Sequence, residues 1–375
     1  MRYFAIIVAM IWGVATSVCC APNCVSSDGT TLSGLDRAKF DTLLQGRPVA
    51  LYVLRNERGM EVCITNFGAR IVSIMAEDRE GEMRDVVLGF DNIGDYIERR
   101  MAIGATVGRY AGRIAGGRLE IDGEVYQLTQ NDKGNTLHGG EKQWMNEPFV
   151  VERVGDDFVE MSYVGEDGES GFPGEVKLRM SYRLKSDNAL EISYLATTDK
   201  PTVVNLTNHA FFNLSGEYGS DMRDHILRVE ADHFAVIDRV TGVPSGELRS
   251  VEGTPMDLRG DVVVDSVVGR KDFEQIEMQN GLDTRWVFNF DRDDERPQIS
   301  LYCPRSGIIM TTYTTQPSVH ISTAAYLNGT IVGRGGATLA KYGGICLETQ
   351  HPIAPPILRP DGEYRYGCCY KFGVR

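Results

Sequence analysis

The sequence predicts an all-β fold, an antiparallel sandwich or barrel, and three observations support it. Short apolar runs recur along the chain between turn residues, and helical periodicity is scarce. Glycine is abundant, with 41 residues in 375, as expected where many strands are joined by tight turns. No Pro/Ser-rich linker, composition break or internal repeat divides the chain, so one large β domain is predicted over residues 35–375.

The elements follow in order from a polar N-terminal tail at residues 21–34. One short helix is predicted near Leu35–Leu44. Asp122-Gly123 has the composition of a two-residue hairpin turn, and Ala235–Met278 is predicted to form less regular surface excursions. The predicted strands are Ala50–Leu54, Glu61–Phe67, Ile71–Ala76, Asp85–Leu88, Arg118–Ile121, Glu124–Leu128, Phe158–Val164, Glu175–Leu184, Ala189–Thr197, His225–Val229, Ile299–Tyr302, Ile308–Thr314, Ser318–Thr323 and Gly344–Glu348.

Residues 1–20 have the pattern of an export signal. Arg2 supplies the positive charge, Phe4–Val18 is mostly apolar but short for a membrane span, and Ala15-Thr16-Ser17 is an acceptable cleavage site. Cys19 leaves a lipoprotein signal open, and a retained anchor is the alternative. The protein is therefore expected to be exported, whether periplasmic, lipid-anchored or secreted. No later segment reaches transmembrane length.

The charge balance excludes some partner classes. A net charge of −13 and a pI near 5.0 argue against nucleic acid and anionic membranes and suit a soluble protein that handles a neutral small molecule. The eight cysteines contain no C-x-x-C spacing. Cys63 and Cys346 lie in strand-like runs and are predicted to be buried thiols, while pairing among the terminal cysteines is left open.

Four short motifs each place an ionisable side chain inside an apolar run. They are GRYAGRIAGG, TLHGG, VNLTNHAFFNL and CLETQ, and the side chains are Arg113, His138, His209 and Glu348. Such groups near a core are uncommon unless they are partnered or used. One glutamate with two histidines can move protons in both directions near neutral pH.

Each of these residues also has a simpler structural interpretation. If Val203–Ala210 is one strand, His209 ends a polar row on the face opposite Leu206, but a lone histidine there is equally a satisfied core residue. Glu348 ends an apolar strand, where desolvation would raise its pKa, although a strand-end glutamate in water fits as well. By the same reasoning His138 is a turn histidine, Arg113 a surface arginine and Asp283 a turn residue. Trp286 and Phe288 are predicted to be core.

The sequence lacks the motifs of metal-dependent, phosphate-binding and serine-hydrolase sites. The six histidines are dispersed and no H-E-x-x-H occurs, so no metal site is predicted. The glycines near Gly104–Gly117 do not form a phosphate-binding loop, and no G-x-S-x-G elbow is present. No cofactor is expected.

Together the motifs resemble the aldose 1-epimerase family, also called galactose mutarotases, from about Asp41 to the C-terminus. GRPVALYVLRNERGMEVCITNFGARIVSI, DVVLGFDNIGDY and LETQHPI complete the resemblance in family order. It implies a large antiparallel β-sandwich of the galactose-mutarotase type with its site on a concave sheet face. It also implies Glu348 as general base, His209 as general acid, His138 assisting near the ring oxygen, and Arg113 and Asp283 binding sugar hydroxyls.

The chain departs from the family pattern at three positions. Gly112 stands where the family usually has Asn, Thr284 where it often has His, and His320 where many members have Gln. His320 is predicted to compensate for the missing Asn, and Asn208 is a further predicted substrate ligand. The resemblance implies a free aldose as the small-molecule partner and a monomer or homodimer. A mutarotase for phosphorylated hexoses and a non-catalytic sugar-binding protein are the alternatives.

Overall fold

The computed structural model describes residues 30–289 and 296–375. The predicted export signal at residues 1–20, and all but the end of the predicted tail, lie outside these residues. Antiparallel strands arranged in two layers dominate the regular structure of the described residues, and the predicted all-β sandwich is confirmed.

The first layer is a nine-stranded antiparallel sheet. Its strands alternate between apolar and polar residues, as in Val176–Leu184, where Val176, Leu178 and Met180 are buried and the residues between them are more accessible. In spatial order the strands are Val150–Val154, Phe158–Gly165, Val176–Leu184, Ala189–Thr198, Tyr364–Val374, Ile308–Thr314, Ile299–Tyr302, Ile226–Val229 and Val262–Val263.

The second layer combines a six-stranded and a four-stranded sheet. A bridge between Val87 and Phe212 joins the edges of these two sheets. The six-stranded sheet has the order Phe211–Phe212, Ile345–Gln350, Ser318–Ser322, Asp283–Val287, His233–Ile237 and Pro244–Ser250. The four-stranded sheet has the order Leu51–Arg55, Glu61–Thr65, Arg70–Glu77 and Met83–Asp85.

The main hydrophobic core lies between the two layers. One buried cluster contains residues from all three sheets, among them Met161, Ile64 and Ile345, and it also includes Trp286 and Phe288 as predicted. Because the side chains of a strand alternate between faces, the six-stranded sheet is left with a second face that turns away from this core.

The remaining elements are short. Five two-stranded ladders pair Thr42–Leu44 with Arg47–Val49, Thr106–Val107 with Thr207–Asn208, Arg113–Ile114 with Thr136–Leu137, Arg118–Ile121 with Glu124–Gln127, and Thr202–Val203 with Ile357–Leu358. The α-helices are Ile93–Arg99, Asp265–Val268 and Glu274–Gln279, and the 3-10 helices are Arg37–Phe40, Ala115–Gly117, Trp144–Asn146, Glu169–Gly171 and Arg334–Gly336. Across residues 30–289 and 296–375, no helix combines the length and apolarity needed to cross a bilayer.

Three local predictions need correction. The helix predicted near Leu35–Leu44 is only a 3-10 turn, Arg37–Phe40, followed by a short strand. Val203–Ala210 is not one strand, because only Thr202–Val203 and Thr207–Asn208 pair, each with a different partner. The predicted surface excursion Ala235–Met278 contains the strand Pro244–Ser250 and two short helices, so it is more regular than expected.

Candidate active site

A cleft of about 410 Å³ opens on the face of the six-stranded sheet that turns away from the core. Six of the seven side chains singled out in the sequence line this cleft, although they come from distant parts of the chain. They are Arg113, His138, His209, Asp283, His320 and Glu348.

Three neighbouring strands supply the floor of the cleft. His320 pairs directly with Glu348 on one side and with Arg285 on the other. In each strand the cleft residues alternate with core residues, as His320 does with Val319 and Ile321. The period-two pattern therefore holds a row of polar groups above an apolar interior.

Glu348 and His209 form the most buried acid–base pair of the cleft. Glu348 is 2 % exposed, and its Oε1 lies 3.5 Å from His209 Nε2. Its Oε2 has no hydrogen-bond partner among the described residues. Burial raises the pKa of Glu348 to about 7, with nearby His320 and Arg285 opposing the shift. The carboxyl group can therefore both accept and return a proton near neutral pH.

The imidazole of His209 contacts the thiol of Cys346. Its Nδ1 lies 3.3 Å from Cys346 Sγ, so Nε2 is the ring nitrogen nearest the carboxylate of Glu348. Burial lowers the pKa of His209 to about 4. A thiol can donate to Nδ1 of the neutral ring or accept from Nδ1–H of the imidazolium, so this contact tolerates both charge states.

His138 is fixed in one tautomer. The backbone N–H of Gly112 donates to His138 Nδ1 at 3.1 Å, so the neutral ring carries its proton on Nε2. Burial, together with neighbouring His209, lowers the pKa of His138 well below its ordinary value. The residue has a left-handed backbone conformation with φ of 51°, and its ring meets that of His209 edge to face at 5.4 Å. His138 can thus act as a neutral hydrogen-bond donor.

Two further polar pairs border the cleft. Arg113 Nε donates to Asp132 Oδ2 at 2.6 Å, and His320 Nε2 lies 2.7 Å from Asp283 Oδ1. Burial alone would raise the pKa of Asp283, but the contact with His320 and the positive charges around it lower the pKa instead. Asp283 is therefore an ionised acceptor. It begins a strand and does not lie in a turn.

The structure does not bring Asn208 into the cleft. Its Nδ2 donates to the Gly104 carbonyl and the Tyr182 hydroxyl, and its Oδ1 accepts from the Ala210 N–H. The side chain belongs to the face opposite His209 and is fully used there. This position argues against the prediction that Asn208 binds substrate.

Sequence reasoning missed Arg285, which lines the same cleft and is 4 % exposed. A side chain at position 112 would place its Cβ 2.0 Å from Arg285 Nη2, so glycine leaves the space that the guanidinium occupies. The position of Arg285 two residues after Asp283 could have predicted that it faces the cleft, because residues i and i+2 of one strand share a face. His320, predicted to compensate at this point, contacts Asp283 instead.

Two groups of described residues bring potential metal ligands within 4.8 Å of one another: His209, Cys346 and Glu348, and separately Asp224, His225 and Cys303. In the first group the sulfur and the carboxylate approach different nitrogens of one imidazole ring, so they do not converge on a common point. In the second group both ring nitrogens of His225 already contact protein groups, the Leu214 N–H and the Asp224 carboxylate. Neither arrangement supports a metal centre.

Comparison with known proteins finds extensive similarity. The family model described as aldose 1-epimerase matches residues 50–371. The galactose mutarotase of Bos taurus is 37 % identical over 90 % of this chain and 98 % of its own length, and that of Homo sapiens is 35 % identical over 92 % and 100 %. The aldose 1-epimerase of Escherichia coli is 33 % identical over 87 % and 96 %.

Solved structures agree with these matches. An aldose epimerase homologue from C. elegans superposes with a TM-score of 0.79 at 30 % identity, covering 87 % of this chain and 99 % of that one. The galactose 1-epimerase of Lactobacillus acidophilus superposes with a TM-score of 0.78 at 26 % identity, covering 89 % and 97 %.

Proposed function

The chain belongs to the aldose 1-epimerase family and is an isomerase of that class, and on this premise we propose that Glu348 and His209 carry the protons of the reaction. The substrates proposed first are free hexoses such as glucose and galactose. Galactose stands in the names of the bovine and human relatives, which supports including it. The observation that carries the proposal is the contact between a buried carboxylate and a buried imidazole in a cleft.

The chemistry requires two linked proton transfers. Ionised Glu348 takes the proton of the anomeric hydroxyl, the bond between C1 and the ring oxygen breaks, and protonated His209 delivers its proton to the ring oxygen. The aldehyde then turns about its C1–C2 bond. When the ring closes on the other face, His209 takes a proton from the attacking hydroxyl and Glu348 returns one to the new anomeric oxygen.

The short distance within the pair suits this reaction. The anomeric oxygen and the ring oxygen are bonded to the same carbon, so their acid and base must be neighbours and cannot lie on opposite sides of the sugar. A separation of 3.5 Å between Nε2 and Oε1 meets this condition, with the sugar lying over the pair. The unpartnered Oε2 of Glu348 is available to accept a hydrogen bond from a sugar hydroxyl.

The two pKa values determine which protonation state dominates. With the pKa of Glu348 near 7 and that of His209 near 4, the pair holds one proton between these limits, and burial favours its location on the carboxyl group. That form has the protons needed for ring closure. Ring opening needs the proton on His209, and a sugar hydroxyl donating to Glu348 would favour this arrangement by stabilising the carboxylate.

The other cleft residues are proposed to hold the sugar. His138 can donate from Nε2 toward the ring oxygen, Arg113 can donate to sugar hydroxyls, and ionised Asp283 can accept from them. Fixing the sugar in this way favours productive orientation over the reactive pair.

Polarimetry tests the proposal. Freshly dissolved α-galactose and α-glucose should reach anomeric equilibrium much faster with the protein than in buffer. The Glu348–His209 pair loses its single proton above pH 7 and gains a second proton below pH 4. The pH profile of kcat/KM should therefore be bell-shaped, with apparent pKa values near 4 and 7. The absence of acceleration over buffer would contradict the function. A rate that rises steadily beyond pH 8 would contradict the assigned pair.

Export is proposed as well, on the pattern of residues 1–20 alone. Expression of the full chain in a bacterial host, followed by mass measurement of the purified protein, would detect cleavage before residue 21 or a lipid-modified cysteine. An intact N-terminus in a cytosolic fraction would contradict it.

A further inference from the structure

Four arginines of the described chain are almost completely buried: Arg70, Arg109, Arg285 and Arg334, each 4 % exposed or less. A guanidinium ion is costly to remove from water unless acceptors surround it. The hydrogen-bond partners of these four side chains therefore indicate which guanidinium groups are satisfied within the protein.

Three of the four are well satisfied. Arg70 and Arg109 each donate to three backbone carbonyls through Nη1 and Nη2. Arg334 donates to the carboxylate of Asp85 and to two carbonyls. Both terminal nitrogens of these arginines have acceptors within the protein.

Arg285 differs from this pattern. Its Nη1 donates to the Pro352 carbonyl at 3.1 Å, but its Nη2 makes no hydrogen bond to a described residue. Its Nε is without a hydrogen bond among these residues, as it is in the other three arginines, so Nη2 is the difference. No described carboxylate lies within ion-pair distance of it. Nearby Gln350, which also lines the cleft, has a buried Oε1 that is unpartnered as well. The site therefore has unused donors, on a guanidinium without a direct ion pair, beside an open cleft.

Two charged pairs of the cleft are in direct contact, while Glu348 interacts with Arg285 from the next strand but one and the exposed Arg100 also lines the cleft. Arg113 is paired with Asp132, and Asp283 with His320. The guanidinium of Arg285 lies over Gly112, where the related family usually has asparagine and where an added Cβ would lie 2.0 Å from Nη2 and displace it from its present position. The glycine and the arginine thus form one feature of this chain, and it places a cation where the family resemblance implies a neutral amide.

We propose that Arg285 binds a carboxylate group of the substrate, so that the preferred substrates of this epimerase are hexuronic acids. This inference rests on the proposed function, extends its substrates from neutral hexoses to the corresponding C6 carboxylates, and ranks the carboxylates first. The planar guanidinium matches a carboxylate in shape and charge, whereas a neutral hydroxyl would leave it without a direct ion pair. A phosphate dianion fits less well, because its second negative charge would add to the repulsion from Glu348 and Asp283, which lie in the same cleft.

Matched sugar pairs provide the test. Glucose and glucuronate, and galactose and galacturonate, differ only at C6, and the anomeric exchange of all four can be followed by polarimetry or by magnetisation transfer between anomeric protons. We expect kcat/KM for each uronate to exceed that for its hexose by about 10- to 100-fold, as hydrogen bonds to a charged group suggest. Equal rates, or a preference for the hexoses, would overturn the proposal.

Variants at positions 285 and 112 test whether Arg285 is responsible. Arg285→Met should lower the uronate-to-hexose ratio by about the same 10- to 100-fold, and Arg285→Lys should lower it less because the charge remains. Gly112→Asn combined with Arg285→Asn should favour the hexoses. An unchanged ratio in Arg285→Met, with the fold verified by circular dichroism, would overturn the assignment.

Two further outcomes separate the possibilities. If glucose 6-phosphate is turned over faster than either uronate, the carboxylate assignment is wrong. If the protein accelerates anomeric exchange of no sugar in the panel, the proposed function itself fails. Exchange of the hexoses without any uronate preference would leave the proposed function intact and remove only the inference about Arg285.

Discussion

Two buried carboxyl groups in the second layer of this protein have opposite surroundings. Asp85 accepts from the Ile74 and Val87 N–H groups through Oδ1, and from Tyr218 and Arg334 through Oδ2. Glu348 lies 3.5 Å from one imidazole, and its second oxygen has no partner in the described chain.

The pKa does not distinguish these two sites, because burial raises the pKa of both Asp85 and Glu348. The number of satisfied hydrogen-bonding positions does distinguish them. A buried charge with a complete set of partners stabilises one arrangement of the chain, whereas an incomplete set facing a cleft leaves room for a ligand.

Glu348→Gln should lower kcat by about 10²- to 10⁴-fold, because the amide cannot take the proton of the anomeric hydroxyl. Polarimetry with either hexose measures the effect. Asp85→Asn is the matched control, since it changes a carboxyl group of similar burial outside the cleft, and its activity per folded molecule should remain near that of the wild type. Full activity in Glu348→Gln would remove the distinction between the two sites.

Arg334→Met should lower the free energy of unfolding by about 3–5 kcal/mol, because Asp85 would remain buried without its counter-ion. Urea denaturation followed by fluorescence measures the change. Arg359→Met, which breaks an exposed ion pair with Asp122, is the control and should have no measurable effect. Equal destabilisation by the two variants would mean that the buried pair has no special structural role.

Glu348→Gln should be more stable than the wild type above neutral pH. The pKa of Glu348 is raised by folding from 4.5 to about 7, so ionisation opposes the folded state and the wild type loses stability as pH rises through this interval. At about 1.4 kcal/mol for each tenfold change in proton affinity, the advantage of the variant approaches about 3 kcal/mol above pH 7. A difference that stays constant between pH 4.5 and pH 8 would argue against a strained carboxylate.

Cys346→Ala should have the smallest effect, a loss of about 2- to 10-fold in kcat, because Nδ1 of His209 would lose its only described side-chain partner. Cys346 acts here as a positioning residue, so Cys346→Ser, which keeps a donor and acceptor at this point, should recover most of the activity. The low-pH limb of the rate profile should shift in Cys346→Ala. An unshifted limb, or failure of serine to restore the rate, would indicate a packing role alone.

Much of the fold could be predicted because alternation in the sequence reports directly on burial. The strands Arg118–Ile121, Ile299–Tyr302 and Ile308–Thr314 have the predicted bounds. His209 lines the cleft while Leu206 lies in the core, although neither residue belongs to a paired strand. Strand periodicity indicates which way a side chain faces only where the residue lies in a paired strand, as His320 does. It does not indicate which distant strands meet, and the gathering of six predicted residues followed only from the family resemblance.

The rest depends on contacts between distant segments. Val203–Ala210 looks like one strand, but the amides of Asn205 and Asn208 bond to the Ala111 and Gly104 carbonyls, and the ladder is interrupted there. The prediction that Asn208 binds substrate was wrong because the sequence does not show that its side-chain amide is hydrogen-bonded inside the core. Arg285 was missed because Asp283 was interpreted as a turn residue. Asp283 in fact begins a strand, and Arg285 lies two residues along it on the same face.

The close approach between positions 112 and 285 also has an evolutionary consequence. A side chain at position 112 would displace the guanidinium of Arg285 from its present position, so a change at one position alters what the other can contact. Among relatives, residues at these two positions should therefore covary, with arginine at the second accompanied by glycine at the first. Such pairs would mark a lineage that inherited its sugar preference as a unit.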